Sequence, residues 1–101
     1  MVNKYENVKF IKISNNNNPC KDFYIDISTM KDARLRLSAL KSQFKKYILN
    51  PEELTHREVF KYFILDYSFY VIEKGTFNCY EDAKLRRDKL YKDQYERMNP
   101  I

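Results

Sequence analysis

The spacing of hydrophobic positions changes repeatedly along the chain, and each change marks an element. Val8, Phe10, Ile11 and Ile13 sit in a β-branched, aromatic-rich run, so residues 9–14 read as a strand. Asn15 to Asn18 and Pro19 interrupt it with turn-forming side chains. Phe23, Ile25 and Ile27 alternate with Tyr24 and Asp26, which makes residues 23–28 a second strand and a hairpin the economical connection. The same alternation places Asp26 on the face opposite Ile25 and Ile27.

From Ala33 the period becomes helical. Ala33, Leu37, Leu40, Phe44 and Tyr47 or Ile48 recur at three and four residue spacings, predicting a helix over residues 31–49. Ser28 or Thr29 is its expected cap, with Asp32 as a first-turn carboxylate. At roughly 100° per residue, Arg34, Lys41 and Lys45 share one flank of the stripe and Arg36 lies on the other, close to the apolar face. Asn50-Pro51-Glu52-Glu53 and Thr55-His56-Arg57-Glu58 offer two successive helix starts, the second a capping box. Val59, Phe60, Phe63 and Ile64 are the apolar face of that second helix.

Residues 69–73 read as a buried strand ended by Lys74-Gly75. Asn78-Cys79-Tyr80-Glu81 is another capping box, opening a last helix over 81–96. On it Tyr80, Ala83, Leu90, Tyr91 and Met98 share one face, with Arg87 in the same sector. The predicted order is ββααβα, an α+β fold in which a small three-stranded antiparallel sheet is packed by helices. It makes one domain over 1–101, with a core of about 8–96 and loose termini.

Composition narrows the chemistry. A chain of 101 residues with 44% hydrophobic and 16% aromatic side chains can build a modest core, so its many charges do not mean disorder. The single glycine, Gly75, excludes a glycine-rich phosphate loop. No apolar run reaches the roughly 18–20 residues of a membrane span, and no signal-peptide pattern opens the chain. The expected location is therefore intracellular: the cytoplasm or nucleus of a host cell, or a virion. Cys20 and Cys79 are expected to stay reduced, and with His56 they make no zinc spacing. His56 is the only candidate imidazole base, and neither a Ser-His-Asp nor a Cys-His arrangement is credible around it.

A net charge of +5 and a pI near 9.2 favour an acidic partner, nucleic acid first. Lys31, Arg34, Arg36, Lys41, Lys45 and Lys46 form the candidate phosphate-tracking stripe, against the plainer reading of a solvated helix face. Arg36 is either a phosphate clamp or a helix arginine whose stem covers apolar surface. Lys84, Arg86, Arg87 and Lys89 are partly neutralised by Asp82, Asp88 and Asp93 and read as a solvated face. The tyrosines read as caps on a small core or as an interface before they read as base-stacking platforms. Residues 59–65 with Tyr67 are the expected face for a homodimer or another protein partner.

The strands Lys9-Phe10-Ile11-Lys12-Ile13 and Phe23-Tyr24-Ile25-Asp26-Ile27-Ser28-Thr29, then Arg36, then Phe69-Tyr70-Val71-Ile72-Glu73-Lys74 and Asn78-Cys79, resemble the GIY-YIG nuclease family. The likeness is to the compact versions common in large DNA viruses and covers about residues 9–95. It implies metal-assisted phosphodiester hydrolysis, in which a Glu holds Mg²⁺ or Mn²⁺, a Tyr helps activate water and an Arg steadies the phosphate.

Carried over position by position, the first-strand Tyr falls on Ile11. The glycine position falls on Ile27 or Asp26, according to whether Ser28-Thr29 or Tyr24 anchors the alignment. The second Tyr is accordingly kept as Tyr24 or replaced by Ile25. The helix Arg is Arg36, the His after it is Leu40, and the metal-holding Glu falls on Asp88 or on Arg87. The family-matching catalytic set is thus Tyr24, Arg36 and Asp88, with Asp88 as the metal ligand. Ile11 can transfer no proton, and an Arg at the last position would repel the metal. The resemblance therefore implies a pseudo-enzyme without a cofactor, acting on double-stranded DNA or in a structural role. The alternatives are a protein-interaction module or homodimer without DNA binding, and a residual metal-dependent endonuclease. The Asn- and Lys-rich usage resembles proteins of A+T-rich genomes, and with it the expectation is a viral protein.

Overall fold

The strand Val8–Asn15 (β1) is apolar on both faces, and the fold is arranged around that fact. A computed structural model describes residues 3–52 and 57–100. In it β1 runs between Phe23–Ser28 (β2) and Tyr67–Gly75 (β3), antiparallel to both, giving the sheet order β2-β1-β3. The helices are Ala33–Leu49 (α1), a 3₁₀ helix over Glu58–Ile64, and Tyr80–Met98 (α2). This is the α+β fold with three antiparallel strands and three helices that the residue pattern predicts. Among the described residues no helix is long and apolar enough to cross a membrane.

Two cores flank the sheet. On one face Val8, Phe10, Phe23 and Ile25 pack against Ala83 and Leu90 of α2. On the other, Ile11 and Ile13 meet Leu40 of α1 and Val59, Phe60 and Tyr62 of the 3₁₀ helix. Strand alternation places Val8 and Phe10 on one face and Ile11 and Ile13 on the other, and the partner strand carries a bulge: Phe10 pairs with Glu73 and Ile11 with Val71, so Ile72 is the extra residue on β3. Each fully buried aliphatic or aromatic side chain contributes roughly 1.5–3 kcal/mol, so a core on both sides offsets the small size of the sheet.

Several local expectations change. The first helix starts at Ala33, not at residue 31, and neither Ser28 nor Thr29 caps it. Asp32 is the cap, its Oδ1 accepting from the Leu35 amide at 3.0 Å, while Ser28 Oγ accepts from the Met30 amide at 3.1 Å. The segment expected as a second α-helix is a short 3₁₀ helix whose N-terminal flank, Arg57, makes no side-chain cap bond. It buries Val59, Phe60 and Tyr62, whereas Ile64 is 74% exposed. With three residues per turn, positions 59 and 62 fall on one side, which a reading at 3.6 residues per turn misassigns. Glu53, Thr55 and His56 lie outside the described residues.

β3 is longer than the expected strand 69–73. On α2 only Ala83 and Leu90 are buried, while Tyr80 and Tyr91 stay exposed, and the expected box ahead of it makes no side-chain cap bond at Cys79. Cys20 and Cys79 are free thiols. Ahead of the sheet, Asn3 Nδ2 donates to the Phe77 carbonyl at 2.7 Å and the Phe77 amide donates to the Tyr5 carbonyl at 2.8 Å. These bonds bring residues 3–5 beside the turn that precedes α2.

Candidate functional site

α1 carries the net charge of the molecule. Between Ala33 and Leu49 there are five cations, Arg34, Arg36, Lys41, Lys45 and Lys46, and no Asp or Glu. That equals the net charge of +5, and the other fourteen Lys and Arg are matched by fourteen Asp and Glu. The last helix differs: Arg86 is held by Glu73 at 2.6 and 2.7 Å, and Arg87 by Asp88 at 3.1 Å.

The predicted stripe divides. Arg34, Lys41 and Lys45 line one groove with Leu37, Ser38 and Ser42, about 330 Å³ in volume, and none of the three cations meets a carboxylate among the described residues. Lys41 Nζ lies 5.4 Å from the ring centre of Tyr67, which steadies it by a cation–π contact. Lys46 is exposed in the last turn, where the helix dipole favours a cation. Lys31 precedes the helix and borders a different hollow, with Lys9 and Lys74. Arg36 turns the other way, onto β2.

There, a cleft of about 460 Å³ opens along β2, one of the two edge strands, between α1 and the start of α2. Asp26 and Arg36 form its base, joined by bonds of 2.8 and 3.1 Å. That pairing raises the Arg36 pKa further, through the hydrogen bond to Asp26 above all. Tyr24 is half-buried beside them. Burial first, then the Asp26 charge, pushes its hydroxyl above the ordinary phenol range, and Arg87 opposes the shift. Lys4, Arg57, Arg87 and Tyr80 complete the rim. Sequence reading missed Lys4 and Arg57 as site residues and ranked base stacking by the tyrosines, Tyr80 among them, below a core or interface role; the three are far apart along the chain and share no spacing that would join them.

Of the family-matching set, Tyr24 and Arg36 share this cleft, and of the two alternatives for the metal-ligand position, Arg87 and Asp88, it is Arg87 that lines it with them. Asp88 borders the neighbouring hollow, which Tyr24 and Arg87 also line, with Phe23, Ile25 and Glu58; its side chain is 58% exposed and bound to Arg87. The donors do not suit a divalent cation. Asp26 already serves a bidentate guanidinium, Asp88 is bound to a second one, and the other charged residues lining the cleft are all cations.

Of the expected partner face over residues 59–65, Val59, Phe60 and Tyr62 are buried in the chain's own core, while Ile64 and Leu65 are exposed. Comparison with family models, curated proteins and solved structures gives no match to the chain.

Proposed function

We propose that the chain is a non-catalytic nucleic-acid-binding domain that holds the phosphate backbone of duplex DNA against α1. The observation that carries this reading is a helix with five cations and no carboxylate, three of whose cations line one groove unpaired among the described residues. Such a stripe tracks phosphates without reading bases, because cations neutralise a polyanion and release its counterions. Descent from a GIY-YIG-like nuclease belongs to the same proposal, as does a viral origin. A cation, Arg87, beside Tyr24 and Arg36 supports loss of the metal chemistry that such an ancestor used.

The test is charge reversal of Arg34, Lys41 and Lys45 together to Glu, all three being exposed on α1. The variant should keep the circular dichroism and melting curve of the parent and lose its affinity for labelled duplex DNA. Unchanged affinity would overturn the reading and direct attention to a homodimer or another protein partner. Cleavage in Mg²⁺ or Mn²⁺ that disappears with Arg36→Lys would restore the nuclease instead.

A further inference from the structure

The cleft along β2 has a charge balance unlike the α1 groove. Four cations, Lys4, Arg36, Arg57 and Arg87, face one carboxylate, Asp26. Arg36 is matched by Asp26 and Arg87 by Asp88, whereas neither Lys4 nor Arg57 meets a carboxylate among the described residues. Two positive charges are thus left without a carboxylate among the described residues in one hollow. A concentration of cations with two charges to spare suits a dianion, and a phosphomonoester is a dianion near neutral pH where an internal phosphodiester carries one charge.

The rest of the lining has an aromatic character. Tyr80 is 43% exposed at the first position of α2, with the Tyr5 ring 6.2 Å away and tilted by 52°. An exposed aromatic ring beside a phosphate site is the arrangement on which a base stacks. The volume, about 460 Å³, lies within the roughly 300–1,000 Å³ range of small-molecule sites.

We propose that this cleft binds a nucleoside phosphomonoester, with its phosphate between Arg57, Arg87 and Lys4 and its base against Tyr80. The ligand is either the phosphorylated end of a nucleic-acid strand or a free mononucleotide, which present the same chemistry. The site stands apart from the α1 groove and does not depend on duplex binding there.

The test uses the full chain and two probes. Titration calorimetry with AMP reads the free nucleotide, and fluorescence anisotropy compares a short single strand bearing a 5′-phosphate with the same strand bearing a 5′-hydroxyl. The phosphorylated strand should bind at least about tenfold more tightly, because the extra contacts are charge-assisted and tenfold corresponds to about 1.4 kcal/mol. Arg57→Gln, an exposed position, should abolish that preference and AMP binding, while the α1 reversal variant keeps both. Tyr80→Ala should weaken AMP roughly fivefold or more without changing competition by inorganic phosphate. AMP binding without strand preference identifies the free nucleotide as the ligand, and strand preference without AMP binding identifies the strand end. Equal affinity for the two strands together with no AMP binding overturns the proposal, as does an AMP site that survives Arg57→Gln.

Discussion

Asp26 and Arg36 meet in a two-point ion pair, Nε on Oδ2 at 2.8 Å and Nη2 on Oδ1 at 3.1 Å, with side chains 5% and 18% exposed. The pair ties β2 to α1. Its geometry uses both carboxylate oxygens, so an ammonium cannot replace the guanidinium. Arg36→Ala would leave a buried carboxylate without its counter-charge and should cost about 3 kcal/mol in urea unfolding, the low end for breaking a buried pair. Asp26→Asn in the same background should recover part of that loss. Additive losses in the double variant would show that the two side chains do not act together.

Tyr62 donates its hydroxyl to Asp22 Oδ1 at 2.8 Å, joining the 3₁₀ helix to the β1–β2 hairpin. The bond holds the Asp22 carboxyl below its ordinary 3.8, helped by Asn15 and Lys61. Burial, and next the same bond, pushes the Tyr62 hydroxyl well above its ordinary 10.0. The carboxyl with the lowered pKa stabilises above 3.8 and loses its effect as pH falls through its folded value. The phenol with the raised pKa stabilises fully below 10.0 and loses its effect as pH rises through its folded value. Tyr62→Phe should therefore lower stability by about 1–2 kcal/mol between those limits, with the deficit shrinking on either side. Melting temperatures of parent and variant across pH 3 to 11 check this, and a deficit independent of pH would contradict it.

Lys12 is 3% exposed in the sheet face under α2, yet no carboxylate pairs with it among the described residues. Its ammonium lies 3.2 Å from Gln94 Oε1, 3.5 Å from Met98 Sδ and 4.6 Å from the centre of the Phe23 ring. These contacts satisfy a buried cation without neutralising it, and its desolvation remains costly. Lys12→Met keeps the length and removes the charge, so the melting temperature should stay level or rise. A clear fall would mean that the polar contacts outweigh the desolvation cost.

Salt dependence gives the α1 reading a second check. Three cations on phosphates predict a slope of log affinity on log salt of about −2.7 or steeper for duplex DNA. The charge-reversed variant should lose at least that much of the slope. A parent slope near zero would mean that these side chains touch no phosphate.

Much of the fold was legible because its signals are local. Strand alternation over β2 and the three-and-four spacing of Leu37, Leu40 and Phe44 depend only on near neighbours. The 3₁₀ helix was not legible in this way, because the choice between 3.0 and 3.6 residues per turn rests on what Tyr62 packs against and on its bond to Asp22. The cap behaved likewise. Ser28, Thr29 and Asp32 are all competent by chemistry, and the entry angle from β2 decides for Asp32. The Asp26–Arg36 pair could have been found earlier, since alternation puts Asp26 opposite Ile25 and the helical wheel puts Arg36 beside the apolar stripe. Both statements point to the layer shared by β2 and α1.

The sequence by itself determined the α+β order, the core stripes and the concentration of net charge in one helix, since these are properties of neighbouring residues and of totals. Helical phase already grouped Arg34, Lys41 and Lys45; the tertiary structure alone decided that Lys31 borders a different hollow, and that Arg87, not Asp88, lines the cleft with Tyr24 and Arg36. It alone brought Lys4, Arg57 and Tyr80 to that cleft. The physical reason is that a sheet edge collects side chains from several segments by chain crossing and packing, and no spacing along the chain encodes their meeting.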